Sequence, residues 1–217
     1  MKKLFVIICT TLIVSCAQIT KVELPNIAES QSVVLVDLRP VNEKETEGFS
    51  GFIFSKAYAI YRRGDDLVSP APLRLLQHRA YENLSSEDNN LNIIVHHMVV
   101  YMNLQSELKR GGVGAIFGGA IGSAIALGTK DNTVNSINSL VNKEEFEGML
   151  ADEYLRATYT EGENPNEASV YVTYIDAEIN GKRSFVKSMT PTITPDGVNG
   201  HVASIESAIN YFLEHYN

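Results

Sequence analysis

The first residues in the sequence to suggest chemistry are His96 and His97, because imidazole is a common metal ligand and general base. Adjacent residues of a strand point to opposite faces, so the two are expected to sit one buried and one exposed, unable to share an ion. No HExxH or cysteine-rich pattern accompanies them. His78, His201 and His215 have no legible partners. Asp37 and Arg39 lie two apart on one strand face and are expected to form a structural ion pair rather than a catalytic carboxylate. Arg62-Arg63-Gly64-Asp65-Asp66 closes an apolar run and reads as a solvated turn, with a partner-facing turn as the alternative. Tyr171, Tyr174, Tyr211 and Tyr216 are candidates for a saccharide-stacking face, although strand and helix packing accounts for most of them. No GxSxG nucleophile motif occurs. The expectation is a non-enzymatic chain with no catalytic residue, no metal site and no cofactor.

Residues Gly111 to Lys130, GGVGAIFGGAIGSAIALGTK, hold no charge between Arg110 and Lys130. A phosphate loop needs Lys-Ser/Thr directly after its last glycine, and Gly128-Thr129-Lys130 reverses that order. A dinucleotide fingerprint fails as well, since Phe117 stands where the last glycine of GxGxxG belongs. Gly114, Gly118 and Gly122, continued by Ala126, form one bare ridge on a helix, the geometry that lets two backbones approach closely. In water these glycines cost roughly 1 kcal/mol each against alanine, so close packing or an apolar surrounding must offset them. As a helix the run is roughly 28 Å long, near the hydrocarbon thickness of a bilayer. Gly118-Gly119-Ala120-Ile121-Gly122-Ser123 resembles the glycine-zipper stretches of surface-antigen-type lipoproteins. That resemblance implies membrane insertion or association with a second copy or another envelope protein through residues 111–129. The alternative is a glycine-rich helix packed on its own domain.

Several elements must position these residues. Ser32–Pro40, SVVLVDLRP, is a β-branched strand ended by proline, with Val34, Val36 and Leu38 on one face and Leu35, Asp37 and Arg39 on the other. A second strand lies within Phe52–Tyr61. Leu73, Leu75, Leu76, Ala80 and Tyr81 mark a helix, with Ser69 as cap and Pro70 in its first turn. Asn90–Leu104 is a long strand. The stretch from Thr133 to Glu161 is read as more helical than not, with Asn142 as a cap and Phe146, Met149, Leu150 and Tyr154 at helical spacing. Val170, Val172, Tyr174 and Asp176 alternate with Tyr171, Thr173, Ile175 and Ala177, and Asn180-Gly181 is the preferred type I′ hairpin pair. Val202, Ile205, Ala208, Ile209 and Phe212 give the final helix one apolar face. The sum is an α+β fold: a mostly antiparallel sheet covered on one face by helices, with an inserted glycine-rich helix.

The chain opens MKKLFVIICTTLIVSC. Lys2 and Lys3 precede the apolar run Leu4–Val14, and Ser15 follows: a secretory signal too short to span a bilayer. Ile13-Val14-Ser15-Cys16 resembles the bacterial lipobox. The resemblance implies cleavage between Ser15 and Cys16, with acyl chains on Cys16. Cys9 leaves with the signal, so Cys16 has no intramolecular disulfide partner. Acylation would remove the lone thiol and supply the two or more membrane signals that stable anchoring needs. In that family an aspartate after the cysteine marks inner-membrane retention, so Ala17 implies, in a Gram-negative host, the outer membrane, facing the periplasm, with the cell surface as a further address.

Loss of residues 1–15 takes away Lys2 and Lys3 and leaves 16 basic against 26 acidic side chains, a net charge of about −10, which argues against a nucleic-acid partner. Domain limits follow: signal 1–15, lipidated cysteine and tether 16–31, with an ordered arm lying on the domain as the alternative for 17–31, and one domain over 32–217 with a glycine-rich and helical insertion at about 105–165. The VVLVDLRP strand after a lipidated tether, LNIIV, the VTYIDAEINGKRSF hairpin and the C-terminal amphipathic helix together resemble the YajG-like outer-membrane lipoproteins. That resemblance implies fold and location and carries no enzymatic activity. Two roles are expected: an accessory or scaffold in envelope assembly or transport, or a monomeric lipid- or glycan-binding module. A periplasmic hydrolase is a third.

Overall fold

The structure is a computed structural model and describes residues 19–46, 51–53, 58–84, 90–104, 136–150, 153–159, 169–192, 194 and 197–216. Strand β1 (Thr20–Lys21) leads to a short helix α1 (Ile27–Ser30), and then to β2 (Val34–Asp37). A 3₁₀ turn at Val41–Lys44 precedes β3 (Gly51–Ile53) and β4 (Tyr58–Arg63). Strand β5 (Val68–Ser69), helix α2 (Pro72–Leu84) and the long β6 (Asn92–Asn103) follow. Then come β7 (Ile137–Leu140), α3 (Lys143–Leu150), α4 (Glu153–Ala157), the hairpin β8 (Val170–Ile179) and β9 (Lys182–Pro191), and α5 (Gly200–Glu214).

The fold is α+β. Seven strands form the main sheet in the order β3-β4-β6-β8-β9-β7, with β2 beside the first half of β6. Only the β2–β6 pairing is parallel in that sheet; β1 and β5 form a separate parallel pair. Asn180 and Gly181 both have positive φ, 50° and 85°, as a type I′ turn requires. That turn fixes the register of β8 on β9 from Val170↔Pro191 down to Ile179↔Lys182.

The central strands of the sheet are buried on both faces. On the first, Ile93, Val95, Met98, Val100, Ile175, Ala177 and Val186 pack against Leu75, Leu76 and Ala80 of α2 and Val202, Ile205, Ala208, Ile209 and Phe212 of α5. The apolar stripes read from the two helices therefore both point into this core. On the second face, Val99, Tyr101, Val172, Tyr174 and Met189 meet Val141, Phe146 and Ala157 from α3, α4 and their approach. Asn142 caps α3 through a 2.7 Å bond from the Glu145 amide to its side-chain oxygen.

Several boundaries differ from the sequence reading. Residues 20–31, placed in the tether, lie on the domain. Strand β1 pairs with β5, the Val22 amide donates to the Ser69 carbonyl, and Leu24 is buried in the first core. Apolar residues at alternate positions, Val22 and Leu24, drive that docking. The single strand expected within Phe52–Tyr61 is the antiparallel pair β3–β4. Ile137–Leu140, within the stretch read as helical, is the edge strand β7. Its four residues are too few to show a period, and their pairing with β9 decides their conformation. Helix α2 starts at Pro72, which takes the first-turn position, and Ser69 belongs to β5. Residues 136–159, inside the stretch read as an insertion, complete the sheet edge and the second core. The glycine run 111–130, with Gly114, Gly118 and Gly122, lies outside the described residues, as do Ser15 and Cys16.

Candidate functional site

The densest group of ionisable side chains among the described residues sits on the second face of the sheet, where an irregularity in β6 assembles it. Val95 stands opposite Ala177, but His97 stands opposite Asp176, so β6 holds one extra residue, His96. This β-bulge breaks the alternation on which the reading of the two histidines rested. His97 turns to the α3 face, with Nδ1 2.9 Å from Glu43 Oε1. The Nε2 of His96 lies 3.5 Å from Oε1 of Glu178, two residues along β8 from Asp176, and makes no hydrogen bond there. Both imidazoles are partly buried and share a side, instead of lying one in and one out.

Glu43 is the hub. It comes from the 3₁₀ turn after β2 and is almost fully buried. Arg156 of α4, itself buried, donates Nη1 to the same Oε1 at 2.8 Å and stacks over Tyr101. Burial works against ionisation of Glu43, but hydrogen bonds from His97 and Arg156 outweigh it and hold its carboxyl below the usual range. Phe146 closes the group from above, its ring centroid 5.5 Å from that of His97, 5.9 Å from Tyr174 and 5.4 Å from Phe185. Beside it, buried Asp176 receives Arg183 Nε and Nη2 at 2.6 and 2.7 Å.

A second ionic cluster ties the end of β2 to the turn after β4. Arg39 is buried and donates to Asp37 Oδ1 (3.0 Å), to Asp65 Oδ2 (2.7 Å) and to the Met98 carbonyl (3.3 Å). Burial disfavours the Arg39 cation, yet the hydrogen bonds it donates to Asp65 and Asp37 leave it more firmly protonated than usual. The Asp37–Arg39 pair read from the sequence is present, and Asp65 and Lys44 extend it. The Arg62–Asp66 turn is packed at Arg62 and Gly64 and solvated at Asp66. The Gly64 amide donates to Thr46 Oγ1, which in turn donates to Asp66. A Cβ on Gly64 would fall 2.3 Å from the Thr46 nitrogen, so only glycine fits this approach.

The chemistry open to these groups is limited. A carboxylate against imidazole Nδ1 orients the ring as it does for general bases. Among the described residues His97 makes no hydrogen bond to a hydroxyl or thiol, and Arg156 occupies the same carboxylate oxygen. No group of three or more His, Cys, Asp or Glu is placed to hold a metal ion among the described residues. Glu43–His97, Glu43–Arg156 and Asp176–Arg183 form a charge network in which Glu43 Oε2 and Arg156 Nε have no hydrogen-bond partner among the described residues. Sequence reading missed Glu43 and Arg156, since one stood in a polar loop and the other on a helix 113 residues away, with no local signal joining them.

The four tyrosines do not form one face. Tyr171 lies on the first face, stacked on His201 at 5.5 Å, whereas Tyr174 is buried on the second. Tyr211 and Tyr216 pack against the first core. His201 is buried and its Nε2 has no partner among the described residues; burial, and then the nearby Arg63 cation, lower its pKa to about 3. An open groove of about 420 Å³ lies between the C-terminal ends of α2 and α5, lined by Asn83, Leu84, Asn210, Leu213 and Glu214.

These features define an α+β domain with one mixed sheet, its central strands buried on both faces, and no assembled catalytic constellation among its described residues. The chain matches no family model, no curated protein and no solved structure. The YajG-like resemblance rests on the sequence pattern alone.

Proposed function

We propose that the chain is a lipid-anchored protein of the bacterial envelope that works by binding, as an accessory or scaffold in envelope assembly or transport. The observation that carries this reading is Cys16 itself, set directly after a basic and apolar signal, in Ile13-Val14-Ser15-Cys16. The pairing of Glu43 with Arg156, of Asp176 with Arg183 and of Arg39 with Asp65 supports binding over catalysis, because each of these charges is held by a partner within the domain. A surface feature agrees with it. Val34 and Val36 of β2, and Leu38 and Val41 just after it, are exposed, and among the described residues β2 pairs only with β6. Exposed apolar rows on edge strands are characteristic of interaction surfaces.

Fractionation of cells making wild type and Cys16→Ala tests the reading. Wild type is expected in the membrane and the variant soluble or unprocessed. A variant that is still processed and still firmly in the outer membrane contradicts it. The groove between α2 and α5 favours a second reading, a glycan-binding module. Its Asn83, Asn210 and Glu214 suit sugar hydroxyls better than acyl chains.

A further inference from the structure

We infer that the end of the domain formed by β1, the loop before α5 and the start of β8 faces the lipid bilayer, with the Asn180-Gly181 hairpin pointing away from it. This rests on acylation of Cys16. The docking of residues 20–31 changes what that anchor can do. A free tether over 17–31 would let the domain stand roughly 50 Å from the bilayer, whereas four residues from Cys16 to Thr20 span at most about 14 Å. Strand β1 is held to β5, and Thr20 Oγ1 accepts from Asn199 Nδ2 at 3.1 Å. The lipidated residue is thereby confined to one end of the fold.

Contacts define that end. Asn199 caps α5 by accepting the His201 amide at 2.9 Å, and His201 stacks on Tyr171 near the start of β8. Tyr171 stands opposite Thr190, whose hydroxyl lies 2.7 Å from that of Ser136. Asn103, the last residue of β6, stands opposite Val170. The chain therefore leaves the sheet after Leu104 and returns at Ser136 on the same end from which β1 departs toward Cys16.

The surface at this end suits a bilayer boundary. Ile19 is 57% exposed and Val198 45% exposed, on either side of the Thr20–Asn199 contact. Lys21, also exposed, offers a cation to lipid phosphate. Each apolar side chain taken from water into the interface adds to the hold of the acyl chains. The opposite end carries the Asn180-Gly181 turn, with Lys182 bonded to the Tyr216 carbonyl. From Tyr171 to Ile179 the β8 strand covers roughly 27 Å. The groove at the C-terminal ends of α2 and α5 lies at this far end, open to a partner in the periplasm.

The test uses the full chain, acylated in cells and reconstituted into phosphatidylcholine vesicles that carry a lipid-borne fluorescence quencher. A fluorophore is attached at Val198→Cys, at Lys21→Cys, or at Lys182→Cys in separate samples, and the mass of each N-terminal peptide is recorded. Acylated protein quenched several-fold more at positions 198 and 21 than at 182 is the expected result. Acylated protein quenched equally at all three, or most at 182, overturns the orientation and leaves the anchor standing. An unmodified Cys16 overturns both.

Discussion

The two faces of the sheet solve burial in opposite ways. The face under α2 and α5 is closed by aliphatic and aromatic side chains from two long helices. The face under α3 and α4 is closed by short helices and holds ionised groups, with Glu43 shared by His97 and Arg156 and Asp176 gripped by Arg183. An apolar face gains from every methylene removed from water, so long amphipathic helices suffice. A face with buried charges is stable only when each charge is matched, so it depends on residues brought from distant loops. The first face is therefore expected to contribute more of the stability, and the second to be the more sensitive to loss of a single partner.

Five substitutions or conditions sharpen that contrast. Phe212→Ala, on the apolar face, is expected to cost about 4 kcal/mol in urea unfolding, through lost burial and the cavity left behind. Glu43→Ala, on the charged face, is expected to cost about 3 kcal/mol because it strands Arg156 and His97. Replacing Glu43 and Arg156 together by leucine should recover most of that loss, and a double variant as unstable as Glu43→Ala would show that the network itself supplies stability.

Acid separates the faces by pH. His201, whose pKa is lowered to about 3 when folded, takes up a proton near pH 6.5 when unfolded. The unfolded state binds more protons between those values, so stability is lost as pH falls across that window, by roughly 3 kcal/mol at pH 4 relative to pH 7. Glu43, with its folded pKa lowered, contributes stability that is present above its unfolded pKa near 4.5 and is lost as pH falls further. Thermal melts from pH 7 to 3 should show the earlier loss abolished in His201→Phe and the later loss retained. The smallest effect is Asn142→Ala, which removes the α3 cap and should cost about 1 kcal/mol, read by the same melts.

The apolar face was legible in the sequence and the charged face was not. The stripe Val202, Ile205, Ala208, Ile209, Phe212 and the alternation of β8 are local periods, and the structure buries them as those periods require. Asn180-Gly181 and Asn142 were legible for the same reason, since each acts on its own neighbours. The His96–His97 reading failed because a bulge adds one residue, and a one-residue change reverses every inference drawn from alternation. Glu43–Arg156 had no local signal, and β1 was hidden in a polar stretch whose Val22 and Leu24 acquire meaning only against α2 and β5.

The most direct measurement of the anchoring claim is the mass of the N-terminal peptide of the protein extracted from its own membranes. The account predicts a chain that begins at Cys16 and carries two or three acyl chains. A chain that begins elsewhere, or a Cys16 with a free thiol, would contradict it.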